Sequence, residues 1–343
     1  MKRRLVLLLL ALLLAALACA PRQTTDEQRS LASLRQVDDH PLYVMTYYGD
    51  YGFSQFLKSG RRATALDLQR QDGAGGRASQ SAAPRPASAP GWLCTCFWAY
   101  NDGSPLFGRN FDWERHPALL LFTDPPDGYA SVSMVDAGYL DLGSDPLSVS
   151  ERLKFLDAPY WPFDGVNECG VAVGVMAVPY GEARQDPELV TIGSLHVVRL
   201  LLDRATNLHE ALWLLQQYNV DWGSGPPLHY LLADRERSVV IEYASRQRRA
   251  MFNTDAWQVS TNFLISEVCE SKPDDLCERY REANAALAQA QGRLSSAAAM
   301  ALLSRVSQPI TQWSAVYELG TGTVRVAMGR EYGEVQEFEL GMK

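Results

Sequence analysis

CTCFWAYNDGSPLFGRNFDW, running from Cys94 to Trp113, reads as two apolar strands joined by an Asn101-Asp102-Gly103 turn. Apolar and aromatic runs on either side of such a turn are a strong short-range hairpin signal. Two cysteines head the first strand, and their i, i+2 spacing puts both thiols on one face of it. The sequence just upstream has a different character. From Gln69 to Pro90 it is Gly/Ala/Ser/Pro-rich (QRQDGAGGRASQSAAPRPASAP), and such a segment buries too little apolar surface to offset the entropy of ordering. A mobile linker is therefore expected over 69–92, and a folded unit begins at residue 93 with a thiol near its first position.

Outward from this hairpin the chain alternates strand and helix patterns. Ser131–Val135, Gly170–Val178, Leu228–Ala233, Val239–Tyr243 and Ala256–Thr261 carry the β-branched and aromatic density of strands. Ile192–Asn219 has apolar residues at helical spacing, with Thr206–Glu210 restarting a second helix by an N-cap. Leu276–Leu303 is alanine-rich and helical with a break near Gln291-Gly292, and Ala315–Glu318, Val324–Met328 and Glu334–Glu339 close the chain as strands. Strands, paired helices, then strands again predict an α+β fold with helices outside packed antiparallel sheets. Upstream, Leu42–Phe53 reads as a docking strand or hairpin within an N-terminal segment 21–68, whose polar residues 21–40 read as a tether.

Composition removes several function classes. The 343 residues carry 32 Lys+Arg against 40 Asp+Glu, a formal net charge of −8. After Arg4 no basic stretch is long enough to track phosphates, so no nucleic-acid partner is expected. The five histidines are scattered, and neither C-x-x-C nor H-E-x-x-H occurs, so neither a metal site nor a cofactor is expected. G-x-S-x-G is also absent, against a serine hydrolase of that type. Of the six cysteines, Cys269 and Cys277 flank a polar Pro-containing loop and could close it as a disulfide, whereas Cys96 and Cys169 read as core thiols or as partners of one another.

The chain start has a basic n-region, Met1 to Arg4, and an apolar run through Ala18. That run is too short to span a membrane comfortably. With Ala16-Leu17-Ala18-Cys19 at its end, it resembles a bacterial lipoprotein signal occupying residues 1–20, in which Cys19 carries the lipid. The expected location is outside the cell membrane, anchored by that lipid; cleavage after Ala20 would instead give a secreted protein.

A cysteine nucleophile usually needs a base, most often histidine, and none lies near Cys94 in sequence. Cutting the peptide bond before the cysteine would free an α-amine with a pKa of about 7.7–8.0, able to take the thiol proton near neutrality. The layout Cys94-Thr95, Asp102-Gly103, Leu106-Phe107-Gly108-Arg109-Asn110-Phe111-Asp112 resembles the opening of the N-terminal-nucleophile (Ntn) hydrolases that include choloylglycine hydrolase, penicillin V acylase and acid ceramidase. Further matches follow in order: Gly165 to Gly170 (GVNECG), His229 with Asp234 and Glu242, Thr261-Asn262, Arg279-Tyr280 and Thr311-Gln312-Trp313-Ser314. The resemblance covers most of residues 94–343 and implies a four-layer αββα sandwich.

Carried over position by position, the resemblance makes Cys94 the nucleophile and sets Arg109 beside its thiolate. Asp112 would hold the α-amine, Asn262 would donate to the oxyanion, and Arg279 would complete the polar ring. Ala177 stands where some members have Asn or Tyr, so only its backbone N–H could serve the oxyanion. Taken singly, Arg109 and Asp112 also fit a surface ion pair, Asn262 a turn residue and Arg279 a solvated helix arginine. The long prefix is similar to that of acid ceramidase and of isopenicillin N acyltransferase, and it implies self-cleavage between Leu93 and Cys94, with the N-terminal segment retained as a processed subunit. The expected substrate is a small N-acyl amide of bile-salt, penicillin V or fatty-acyl type, hydrolysed through a thioester. An acyltransferase, or a non-catalytic ligand-binding lipoprotein on the same fold, remains the alternative.

Overall fold

The computed structural model describes residues 25–60, 93–100, 104–142, 147–223, 225–268 and 277–343. The signal segment with Cys19, the linker, the Asn101-Asp102-Gly103 turn and Cys269 of the expected 269–277 pair lie outside the described residues.

Two sheets face each other. The smaller, six-stranded one runs in the order β14 (Trp257–Ser260), β3 (Leu93–Ala99), β4 (Leu106–Asp112), β15 (Thr311–Glu318), β16 (Thr323–Met328), β17 (Gln336–Glu339). The nine-stranded sheet runs β1 (Arg35–Asp38), β2 (Leu42–Tyr47), β5 (Ala118–Thr123), β6 (Ser131–Asp136), β7 (Pro162–Asn167), β8 (Ala172–Ala177), β11 (Leu228–Ala233), β12 (Ser238–Ala244), β13 (Gln247–Phe252). All its neighbours are antiparallel except β2 and β5, which run parallel. A separate parallel pair joins β9 (Val190–Gly193) to β10 (Tyr218–Asp221).

The pleat of the central hairpin divides the core. Cys94, Cys96, Trp98, Phe107 and Phe111 turn into the space between the sheets, whereas Phe97, Ala99 and Leu106 turn to the opposite side. There α7 (Glu278–Ala290) and α8 (Ser296–Arg305) pack on the small sheet. They are separated by Gln291 and Gly292, both at positive φ, which sets the break where the sequence places it. On the far side α4 (Ser194–Arg204) lies on β7 and β8, with α5 (Leu208–Leu214) against it. This is the αββα layering expected of the sequence.

Three expectations need correction. Residues 21–40 are not simply a tether: α1 (Asp26–Ser33) starts with a Thr25–Gln28 capping box, and β1 adds an edge strand to the large sheet. An edge strand exposes much of its surface, so its polarity disguised it. The strand predicted over 42–53 ends at Tyr47; Gly49 and Gly52, both at positive φ, turn the chain into α2 (Phe53–Ser59). The helical pattern to Asn219 stops at Leu214, and Tyr218–Asp221 is a strand. Two further short helices, α3 (Val149–Lys154) and α6 (Ile265–Val268), and two 3₁₀ helices, Ala137–Leu140 and Phe155–Tyr160, complete the described elements.

The N-terminal segment is built into the fold. Leu42 and Met45 are fully buried, as is most of Phe53. Tyr51 donates to the Asp203 carboxylate at 2.7 Å, and Asp203 is held in turn by the buried Arg199 guanidinium at 2.9 Å.

Candidate active site

Cys94 is the second residue of β3 and 5% exposed. β14 pairs with β3 only as far as Ser260 opposite Cys96, so Cys94 lies beyond the ladder on that side. Its main-chain N–H donates instead to Asn262 Oδ1 at 2.6 Å. The structure has the unbroken Leu93–Cys94 peptide, so this nitrogen stands in for any α-amine that cleavage would release.

From the inter-sheet side Arg109 faces the thiol. Its guanidinium is fully buried, with Nε donating to Asp164 Oδ2 at 3.4 Å and Nη1 approaching Cys96 Sγ at 3.6 Å; Nη2 has no hydrogen-bond partner among the described residues. The surface-pair reading of Arg109 with Asp112 is therefore wrong, for a geometric reason. Positions three apart on a strand point to opposite faces, and the partner of Arg109 comes from the other sheet. Asp164 also accepts from Trp313 Nε1 at 3.1 Å and from the Tyr317 hydroxyl. Burial pushes the Cys94 thiol up in the uncut chain, and the opposing pull of the Arg109 charge does not cancel it. Burial pushes the Cys96 thiol up to about 12. Cys94, Cys96 and Cys169 are all free thiols, so Cys96 and Cys169 are not joined.

From the helix side comes Arg279, in the first turn of α7. It donates through Nη1 to the Cys94 carbonyl and, at 3.0 Å, to Thr95 Oγ1, and through Nη2 to Asn262 Oδ1 at 3.0 Å. The same Nη1 is 3.9 Å from Asp112 Oδ2. Asp112 is 1% exposed; its Oδ1 accepts from Thr311, while Oδ2 has no hydrogen-bond partner among the described residues. Burial pushes the Asp112 carboxyl up to about 6 despite Thr311, Arg279 and Arg109.

In the unbroken chain the Cys94 main-chain N–H donates to Asn262 and not to Asp112, while Asn262 Nδ2 donates to the Ala177 carbonyl at 2.8 Å. A primary amide has two N–H bonds, so one remains for an oxyanion. Ala177 ends β8; because Val178 N–H bonds Pro227 O at 2.9 Å, strand alternation turns the Ala177 N–H away from β11, to the side where Asn262 sits. Asn262 is itself positioned through Thr261. His229 Nε2 lies 2.6 Å from the Thr261 carbonyl, and His229 Nδ1 lies 3.5 Å from Glu242, whose carboxylate also accepts Ile265 N–H at 2.6 Å.

Cys94, Arg109 and Asp112 open onto a cavity of about 340 Å³ whose wall includes the rings of Phe56, Phe111, Trp113, Tyr139, Trp161 and Phe163. Trp98 lies elsewhere, in the inter-sheet core with its Nε1 on the Asp234 carbonyl at 3.2 Å. Asn167 is structural, its amide tying Leu202 O and Ala205 O to the turn at Cys169 and Val171. Sequence reasoning missed Asp164 and its place beside Arg109. The available signal was an acidic residue inside the apolar stretch Trp161–Val166.

The family model of the linear amide C–N hydrolases, choloylglycine hydrolase family, matches residues 94–263, beginning at Cys94 and ending one residue past Asn262. The chain belongs to that family. The bile salt hydrolase/transferase of Lactiplantibacillus plantarum is 26% identical over 163 residues, 44% of this chain and 47% of that protein, so the match spans about half of the relative's length. A mutant of the conjugated bile acid hydrolase from Clostridium perfringens superposes with a TM-score of 0.53 at 15% identity, over 72% of this chain and 92% of that one. Penicillin V acylase from Agrobacterium tumefaciens gives 0.50 at 13% identity, over 72% and 86%. Both structures share the fold.

Proposed function

We propose that the protein is an exported cysteine Ntn amidohydrolase that cuts itself between Leu93 and Cys94 and then hydrolyses linear, non-peptide N-acyl amides. The observation that carries this reading is the main-chain nitrogen of Cys94, gripped by Asn262 Oδ1 at 2.6 Å at the edge of a strand whose thiol faces Arg109. In self-cleavage Cys94 Sγ would attack the Leu93 carbonyl, and the C–N bond would break as the acyl group moves to sulfur. That shift frees the α-amine, and water would then hydrolyse the thioester to the Leu93 carboxylate and the Cys94 thiol. In turnover that amine takes the thiol proton as Sγ attacks the substrate carbonyl, with the oxyanion facing Asn262 Nδ2 and the Ala177 N–H. The proton passes to the leaving amine, and water, deprotonated by the same α-amine, hydrolyses the thioester.

On this reading the α-ammonium form is steadied by Asp112 Oδ2, which accepts no hydrogen bond among the described residues, and Arg279 aligns the ring of acceptors. The name of the Lactiplantibacillus relative includes transferase, so transfer of the same thioester to a second amine is the alternative. Residues 1–20 serve as a lipoprotein signal with Cys19 lipidated, and the N-terminal segment remains as a subunit holding the catalytic part at the membrane. Intact mass and N-terminal sequencing of purified protein test the proposal, followed by a screen of aromatic, bile-acid and fatty N-acyl amides. A fragment starting at Cys94, with amide turnover, is the expected result; full activity in an unbroken chain would sink the mechanism.

A further inference from the structure

We propose that the segment ahead of the scissile bond forms a wall of the substrate pocket, and that Phe56 within it sets selectivity for an uncharged, ring-bearing acyl group. The inference rests on the Cys94 thioester reading above. Phe56 lies in α2, and both it and Gly60 face the cavity that contains Cys94. Trp161 and Ile192 line the same cavity.

Phe56 is held rather than loosely placed. Its ring centroid is 4.4 Å from that of His196 and 5.7 Å from that of Tyr160, and its carbonyl accepts the Gly60 N–H at 2.8 Å. Gly60 adopts φ +63°, and a Cβ there would come within 2.7 Å of the Thr191 carbonyl. Only glycine lets the end of α2 close so tightly onto β9, another wall of the cavity. The chemistry of the lining then selects the ligand. Among the described lining residues the only Lys or Arg is Arg109, already engaged by Asp164, while Asp112 and Asp221 add negative charge. An anionic acyl tail would find no partner there; a flat apolar ring would meet ring faces.

The test reads acylation of Cys94 directly, without requiring amide hydrolysis. Full-length wild type, Phe56→Ala, Phe56→Leu and Phe56→Trp are each allowed to process. They are then mixed with the p-nitrophenyl esters of acetate, phenylacetate and naphthylacetate. Nitrophenolate release and the mass of the Cys94 thioester are followed: sulfur bonds the acyl carbon and the aryl oxygen leaves. A residue that gates a pocket by size changes selectivity by roughly 10-fold or more. The naphthylacetyl-to-phenylacetyl rate ratio should therefore rise by about that factor in Phe56→Ala and Phe56→Leu and fall in Phe56→Trp, each rate being taken relative to the acetyl rate of the same protein. Equal ratios in all four proteins would overturn the proposal. A shifted ratio in a protein that cleaves no amide would count against the hydrolase reading and leave the pocket assignment standing.

Discussion

Asp112 is the residue at which function and stability should conflict most visibly. Its carboxyl rises from an ordinary 3.8 to about 6, so the folded chain binds its proton more tightly than the unfolded chain. The stability attached to that proton is complete below pH 3.8 and is lost as pH rises through 6. A displacement of about two units corresponds to a loss of about 3 kcal/mol at pH 8, and about half of that at pH 5. Asparagine mimics the protonated carboxyl and can still accept from Thr311. In a Cys94→Ala background, which keeps the chain in one piece, Asp112→Asn should therefore stabilise the protein by about 1–3 kcal/mol at pH 8, with a smaller gain at pH 5. Urea unfolding at the two pH values measures this. In the Cys94 background the same substitution should depress amide turnover, because the α-ammonium loses its counter-charge. If Asp112→Asn destabilises at pH 8, the carboxylate is not the strained group inferred from its burial.

Cys94→Ala should abolish both chain cleavage and turnover, whereas Cys96→Ala should still cleave, as mass spectrometry will show; swapped results would break the register assigned to the whole site. Asn262→Ala removes both the grip on the Cys94 nitrogen and one oxyanion donor, so steady-state turnover should fall by about 10²–10³, and survival within a few-fold would remove Asn262 from the site. Arg109→Ala alone would strand the buried Asp164 at a cost of about 3–5 kcal/mol; the informative protein is Arg109→Ala with Asp164→Asn. Once cleaved before Cys94, it should show iodoacetamide alkylation of Cys94 shifted to higher pH, and an unshifted profile would remove Arg109 from the thiolate.

The hairpin, the paired helices and the order of the motifs were legible because each rests on short-range signals: a turn tripeptide, an N-cap at Asn207, a Gln291-Gly292 break. What escaped depends on tertiary context. Pro162–Asn167 and Gln247–Phe252 give no clean strand pattern, the first fully buried and the second mostly exposed at a sheet edge. Asp164 meets Arg109 only because two sheets stack face to face. The orientation of the Asn262 amide could not be read either, since its acceptors and donors come from β3, β8 and α7 together.

Why would the proposed reaction use Cys94 rather than Cys96, when both share a face and an arginine? The answer lies in the ladder rather than in the thiols. Cys96 is paired on both sides, with Arg109 of β4 and Ser260 of β14, so cutting before it would sever the chain in mid-sheet and free an amine already committed to strand pairing. β14 stops at that point. Carried two residues further, the same register brings Asn262 opposite Cys94, but as a side chain instead of a strand. The Cys94 nitrogen therefore sits at the rim of the sheet, bound by a group that can hold an amide or an amine equally well. Its thiol still points inward to Arg109, and its carbonyl is fixed by Arg279 from the helix layer. A β14 extended by two residues would replace the Asn262 side-chain contact with backbone pairing, and the early end of that strand is what makes the position chemically available.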